Sequence, residues 1–183
     1  MIFEEKEIRL KDGRTCILRS VRREDAADMI EYLRTVSGET DFLLRNADEV
    51  TYTLEGEGDI LENKRNAPGE LMMVAEADGI VAGNCGIVSR GNLRRVRHRC
   101  GFAIALKQEY CDAGLGTAMM EYALSLAREM GYEQVELEVV DGNDRARHVY
   151  EKMGFRESGR VLWSLKYDDG SYRDEISMVK LFD

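Results

Sequence analysis

In the stretch EYCDAGLGTAMMEYAL, residues 109–124, a polar loop punctuated by Gly114 and Gly116 gives way abruptly to a stripe of apolar residues. Leu115, Ala118, Met119, Tyr122, Leu126 and Met130 recur at three- and four-residue steps, the spacing of one buried helix face, and Gly131 supplies the stop. The chemistry open to such a loop is anion binding. The first N–H groups of a helix lack internal partners and sit at its positive dipole end, which suits a phosphate, and glycines let it come close. A bare Gly-x-Gly serves equally as a packing or turn element, so the loop alone does not name a ligand. A second group that could do chemistry lies in QVELEVV, where Val135, Leu137 and Val139 take one strand face while Glu136 and Glu138 take the other. A central parallel strand is normally apolar on both faces. Carboxylates there mean either a wet cleft, in which Glu138 can accept a proton, or a solvated face near a sheet edge. Tyr150 shares the face of a short helix with Ala146, Val149 and Met153, which by itself reads as a core tyrosine whose hydroxyl needs an acceptor.

The elements that must position these groups follow from turn chemistry and periodicity. EIRLKDGRTCILRSV reads as a hairpin turning at Asp12-Gly13, followed by a helix entered near RREDAADMIEYL. A polar helix is predicted over much of Asp48 to Arg65, ending before Pro68. LMMVAEADGIVAGNCGIV gives two strands about Asp78-Gly79, and a strand from Val96 to Leu106 leads into the glycine loop. QVELEVV, the helix NDRARHVYEKMGF and a last hairpin about Asp169-Gly170 complete an α/β reading with a strand-helix-strand unit at its centre.

At 183 residues and 44% hydrophobic content, one domain over residues 1–183 is expected. A net charge of -9 disfavours nucleic acid and anionic membrane as main partners, and no apolar run approaches a membrane span. The opening MIFEEKEIRL has no secretory pattern, so a cytoplasmic protein is expected. Cys16, Cys85, Cys100 and Cys111 form no CxxC pair and read as free thiols, and no metal site is expected. Neither His98 nor His148 is near Cys111 in sequence, which leaves a cysteine nucleophile without support.

Downstream of the loop, Asn143, Ala146, Tyr150, Lys152, Gly154 and Phe155 fall in the pattern NxxAxxxYxKxGF, 27 residues after Gly116. Together the two blocks resemble the GNAT acetyltransferase superfamily, from about Arg19 to Phe155 and again in the final hairpin. The resemblance implies a GNAT fold, a central mixed β-sheet of about six to seven strands flanked by about four helices, and acetyl-CoA as cosubstrate. It implies that Ile104, Ala105 and Leu106 face the pantetheine arm, that the backbone of Asp112, Ala113, Gly114, Leu115, Gly116 and Thr117 cradles the pyrophosphate, and that Asn143 hydrogen-bonds the same molecule. Two positions depart from the pattern: Cys111 stands where Arg or Gln is usual, and Asp112 replaces a common glycine. In the branch acting on ribosomal-protein N-termini, the glutamate of a similar LEV strand is the base, the position of Glu138 here. The family places the tyrosine corresponding to Tyr150 beside the cofactor sulfur. The implied reaction is direct attack by a primary amine, from a small molecule or a peptide, with a backbone N–H near Leu106 steadying the oxyanion. A homodimer is left open, and the alternative function is a non-catalytic acyl-CoA sensor.

Two charge patterns bear on the acceptor. From Glu39 to Glu62 there are eight acids and one base, Arg45, which would either draw a cationic amine or form a solvated helix face. Arg90, Arg94, Arg95, Arg97 and Arg99 lie at the far end of the predicted strand from the loop, and read as a soluble hairpin tip or a partner contact rather than a phosphate clamp.

Overall fold

The computed structural model describes residues 1–182. The Asp12-Gly13 turn joins β1 (Lys6–Arg9) to β2 (Thr15–Ser20), and a 3-10 turn leads into α1 (Ala26–Glu39). Then come α2 (Leu54–Asn66), β3 (Leu71–Ala77), β4 (Ile80–Ser89), β5 (Arg99–Leu106), α3 (Leu115–Glu129), β6 (Gln134–Val140), α4 (Asp144–Lys152), β7 (Arg156–Lys166) and β8 (Tyr172–Leu181). The eight strands form one sheet in the order β1-β2-β3-β4-β5-β6-β8-β7. Each of the eight corresponds to a strand read from the sequence, and together they exceed the six to seven that the resemblance implied.

Local chemistry sets most boundaries. Asp78 and Gly79 both take positive φ, 51° and 79°, the geometry of a tight two-residue hairpin turn. α2 starts at Leu54, later than the predicted Asp48, because the Thr53 hydroxyl accepts the Gly56 N–H at 3.1 Å and caps the helix there. β5 likewise begins at Arg99 instead of Val96. The N–H groups of Val96 and Arg97 both donate to the Leu93 carbonyl, which curls the arginine-rich stretch into turns.

α3 buries Leu115, Met119, Met120, Ala123 and Leu126 in the core on one sheet face, and each large side chain contributes about 2 kcal/mol. The other face is covered by α1 and α2, where Met29, Tyr32, Val36 and Leu61 pack with Val21, Val74 and Val81. Beneath these helices lies a buried cation. Arg19, only 6% exposed, forks onto the Asp25 carboxylate with both bonds at 2.8 Å and reaches Glu76 through Nε at 2.7 Å.

β5 and β6 are the parallel pair at the centre, and they stay in register for only three positions: Arg99 with Gln134, Cys100 with Val135 and Gly101 with Glu136. Beyond Gly101 the strands separate. β5 continues along β4 to Leu106 while β6 continues along β8 to Val140, so a slit opens between them.

Candidate active site

The slit is walled by backbone as well as side chains. The Arg90 N–H donates to the Arg99 carbonyl and the Lys107 N–H to Ala82, at the two ends of the antiparallel β4–β5 register. Alternation between them turns the N–H and C=O groups of Ala103 and Ala105 towards β4, and those of Phe102, Ile104 and Leu106 towards the slit. Of the three expected residues, Ile104 and Leu106 thus offer backbone groups to a ligand. Ala105 does not, and its carbonyl also accepts the Tyr32 hydroxyl at 2.7 Å. Leu106 is wedged in place: a Cβ on Gly83 would lie 2.4 Å from its Cδ2, and one on Gly116 would lie 3.2 Å from its Cδ1. Gly116 therefore makes room for Leu106, a packing role that the sequence pattern did not separate from phosphate approach.

At the end of the slit the chain turns into α3. Among the described residues, none of the N–H groups from Asp112 to Thr117 donates to a backbone carbonyl, and the first such bond is Ala118 to Gly114. Gly114 reaches this geometry with φ of 90°, and Asp112 sits at φ 61°, a left-handed conformation in which Asp is tolerated better than most side chains. Six consecutive amides without a backbone acceptor among the described residues, running into a helix N-terminus, offer the kind of donors a pyrophosphate takes. Two cations that the sequence did not single out flank them. The Lys11 stem passes within 3.6 Å of where a Gly114 Cβ would stand, and the Lys11 N–H holds the Ala113 carbonyl at 3.0 Å. Arg145 of α4 donates to the Cys111 sulfur at 3.2 Å and lies 3.6 Å from the Asp112 carboxylate. Arg145 was within reach of sequence reasoning, since the NDRA segment supplies a base and position 111 lacks one. Lys11, about a hundred positions upstream, was not. Burial pushes the Cys111 thiol up, with Arg145 opposing, so little thiolate exists at neutral pH and a nucleophilic role gains no support.

Glu136 and Glu138 project from β6 on the face of the α1–α2 layer, but beyond its cover, along an open groove of about 490 Å³ shared with Arg156, Ser158 and Ser177. Their surroundings differ. Burial works to raise the Glu136 carboxyl, yet the hydrogen bond from Arg99 at 2.5 Å, the charges of Arg99 and Arg90, and the bond from Gln134 outweigh it and hold the group below the ordinary carboxylate range. Glu138 has a side chain 48% exposed and, among the described residues, one side-chain partner, Arg90, at 3.2 Å. Two of the five clustered arginines thus face the cleft carboxylates instead of decorating a hairpin tip.

Tyr150 is deep in the α4 face beside Phe155, and burial drives its phenol up to about 12. Its hydroxyl makes no hydrogen bond to the described residues, which departs from a core tyrosine satisfied by a neighbour. Asn143 caps α4 by accepting the Ala146 N–H at 3.3 Å through Oδ1, leaving its amide NH2 to donate elsewhere. The acids between Glu39 and Glu62 mostly have structural work: Asp59 and Glu62 hold Arg23, Glu39 accepts the Gln108 N–H, Glu49 closes a turn on Asn46, and Glu57 is buried. The hollow of about 190 Å³ between α1, residues 43–45 and the β4–β5 strands is lined by Leu33, Val36, Leu43, Leu44, Arg45 and Asn84, and is not acidic.

The sheet is thus interrupted at its parallel pair, and among the described residues a run of amides without backbone partners lies at the slit's end. Residues 39–155 match the model of the acetyltransferase (GNAT) family. The chain belongs to that family. Its GNAT fold is shared by an acetyltransferase of the GNAT family from Streptococcus pneumoniae at 28% identity and a TM-score of 0.85, covering 91% of this chain and 99% of that one. A Salmonella typhimurium structure solved with its cofactor acetyl-CoA superposes at a TM-score of 0.78 with 17% identity, over 92% and 94% of the two chains. In sequence, the spermidine N(1)-acetyltransferase of Escherichia coli K12 is 30% identical over 125 residues, 66% of this chain. The matched region spans 63% of that relative's own length. GNAT acetyltransferases use acetyl-CoA, and the backbone groups left without partners along β5 and before α3 have the hydrogen-bonding capacity for a pantetheine arm and a pyrophosphate. No helix among the described residues is long and apolar enough to cross a membrane.

Proposed function

We propose that this GNAT protein transfers the acetyl group of acetyl-CoA to a primary amine by direct attack, with Glu138 as base and Tyr150 serving the departing thiolate. Bound acetyl-CoA supplies an activated thioester. The chain's part is to hold and polarise it: Ile104 and Leu106 pair with the pantetheine arm as a missing strand would, the amides of Asp112 to Thr117 with Lys11 and Arg145 take the pyrophosphate, and the free NH2 of Asn143 donates from α4. The Leu106 N–H faces the slit and stabilises the charge that develops on the carbonyl oxygen during attack. The observation that carries this reading is the pairing of a slit, bordered by unpaired backbone of β5, with the cradle of free amides at its end. The enzyme reading is favoured over a sensor by a solvent-accessible Glu138 carboxylate and by a phenol hydroxyl in α4 with no hydrogen-bond partner among the described residues.

Tyr150 acts by donating a hydrogen bond. With the phenol near 12 and a thiol near 8.5, full proton transfer to the thiolate is uphill by about 5 kcal/mol. Tyr150→Phe should therefore lower kcat about tenfold while the melting temperature moves little, because the hydroxyl supports nothing else among the described residues. Intact turnover with a stability loss of about 1 to 3 kcal/mol would return Tyr150 to the core.

Asp112 places a negative charge on the phosphate cradle and ties up Arg145. Asp112→Gly removes the charge, frees the guanidinium and relieves the left-handed backbone, so acetyl-CoA should bind several-fold tighter in calorimetric titration, with the gain shrinking as salt rises. Unchanged affinity would mean that the phosphates lie elsewhere. The acceptor is a primary amine of the small-molecule or peptide class, and thiol release from acetyl-CoA across a panel of amino acids, polyamines and peptide N-termini tests the activity itself. Tight binding of acetyl-CoA without turnover on any of them would establish the sensor instead.

A further inference from the structure

Arg90 stands at the point where β5 and β6 part. It leaves the end of β4 and lies over Gly101, the last paired residue of β5, where an added Cβ would come 3.2 Å from its Cζ. From there its Nε faces Glu136 at 3.3 Å and its Nη2 donates to Glu138 Oε1 at 3.2 Å. Glu136 is itself fixed on the other side by Arg99 and Gln134. The other neighbours of Glu138 on this face are Ser177, its register partner on β8, with Arg156 and Ser158 of β7 farther along the groove. None of these is bonded to it among the described residues.

We propose that Arg90 is a positioning residue for the acetyl transfer. It clamps one oxygen of Glu138 and presents the other to the acceptor amine, taking its own orientation from Glu136 and from the space left by Gly101. This rests on Glu138 being the base. A half-exposed glutamate left alone samples many rotamers, and a base must hold hydrogen-bond reach of the proton it takes. A guanidinium locked to a second carboxylate removes that freedom, which a single-point lysine does less well.

The test is a double-mutant cycle on turnover. Arg90→Gln should lower kcat about fivefold with KM for the amine nearly unchanged, and should cost less than about twofold when Glu138 is already glutamine. Arg90→Lys should fall between. Gly101→Ala, which removes no charge and only pushes the guanidinium aside, should lower kcat about two- to threefold, again only while Glu138 is present. If Arg90→Gln misfolds, Gly101→Ala in both backgrounds carries the test. Equal losses with and without Glu138, or full activity in Arg90→Gln, would overturn the proposal. Wild-type turnover in Glu138→Gln alone would overturn the base assignment itself, a result visible before Arg90 is touched.

Discussion

Glu138→Gln is expected to lower turnover at neutral pH by about a hundredfold, and raising the pH should return much of the loss. The carboxylate stands 48% exposed on a strand whose other face is core, with one oxygen held by Arg90. An ε-amine or polyamine with a reference pKa of about 10.4 is almost wholly protonated at pH 7, whereas an α-amino group at about 8 is roughly one-tenth free. Without the base, the rate follows the free amine in solution. Between pH 7 and pH 9 that fraction grows about a hundredfold for the ε-amine and about tenfold for the α-amine. The recovery therefore reports the acceptor's basicity as well as the role of Glu138. Profiles recorded at saturating acetyl-CoA that superimpose for the two proteins would remove Glu138 from the mechanism. Glu136 is a poor substitute, since three neighbouring groups stabilise its charged form.

The second large effect is on stability. Asp25→Asn should cost about 3 kcal/mol at pH 7, because it leaves the buried Arg19 guanidinium with Glu76 as its remaining carboxylate. Asparagine can still accept the Arg22 N–H that Asp25 holds at 2.8 Å, so the loss isolates the charge. For a chain of this size the melting temperature should drop by roughly 6 to 12 °C. Burial works to raise the Asp25 carboxyl, but the hydrogen bonds from Arg19 and the Arg22 N–H, with the charge of Arg19, keep it below the ordinary value. A depressed folded-state value means that the stabilisation is complete above the unfolded carboxyl's pKa of about 4 and fades as pH falls through the folded one. The gap between wild type and variant should accordingly close on acidification. A gap that persists at pH 2 would show that the charge was not its source.

Where structure is dictated by neighbours in the chain, the sequence predicts it well. Asp12-Gly13, Asp78-Gly79 and Asp169-Gly170 each close the hairpin that their backbone preferences favour, and the apolar stripe from Leu115 finds the core as α3. The misses come from distance. Nothing local says that Arg90 and Arg99 will meet Glu136 and Glu138, that Lys11 will cross the glycine loop, or that Gly83 and Gly116 will grip Leu106 from two elements. The alternating acids of β6 were compatible with a wet cleft and with a solvated face near a sheet edge, and the structure puts both acids along one open groove. The start of α2 was legible in principle, because Thr53 precedes the helix with a capping hydroxyl, but the acids from Asp48 onwards masked it.

The three-residue register between β5 and β6 has a mechanical meaning. Strands β1 to β5 and strands β6, β8 and β7 meet in the sheet along a seam only three pairs long, over one shared core. On the proposed function, a molecule whose amide groups bond β5 while its phosphates meet the start of α3 would work there as a removable rivet. Its arrival would tie the two halves of the sheet together along that seam, and its departure as a shortened thiol would leave the seam open again. The gap that shortens the pairing of β5 with β6 would then be the same gap that commits the ligand to a single alignment.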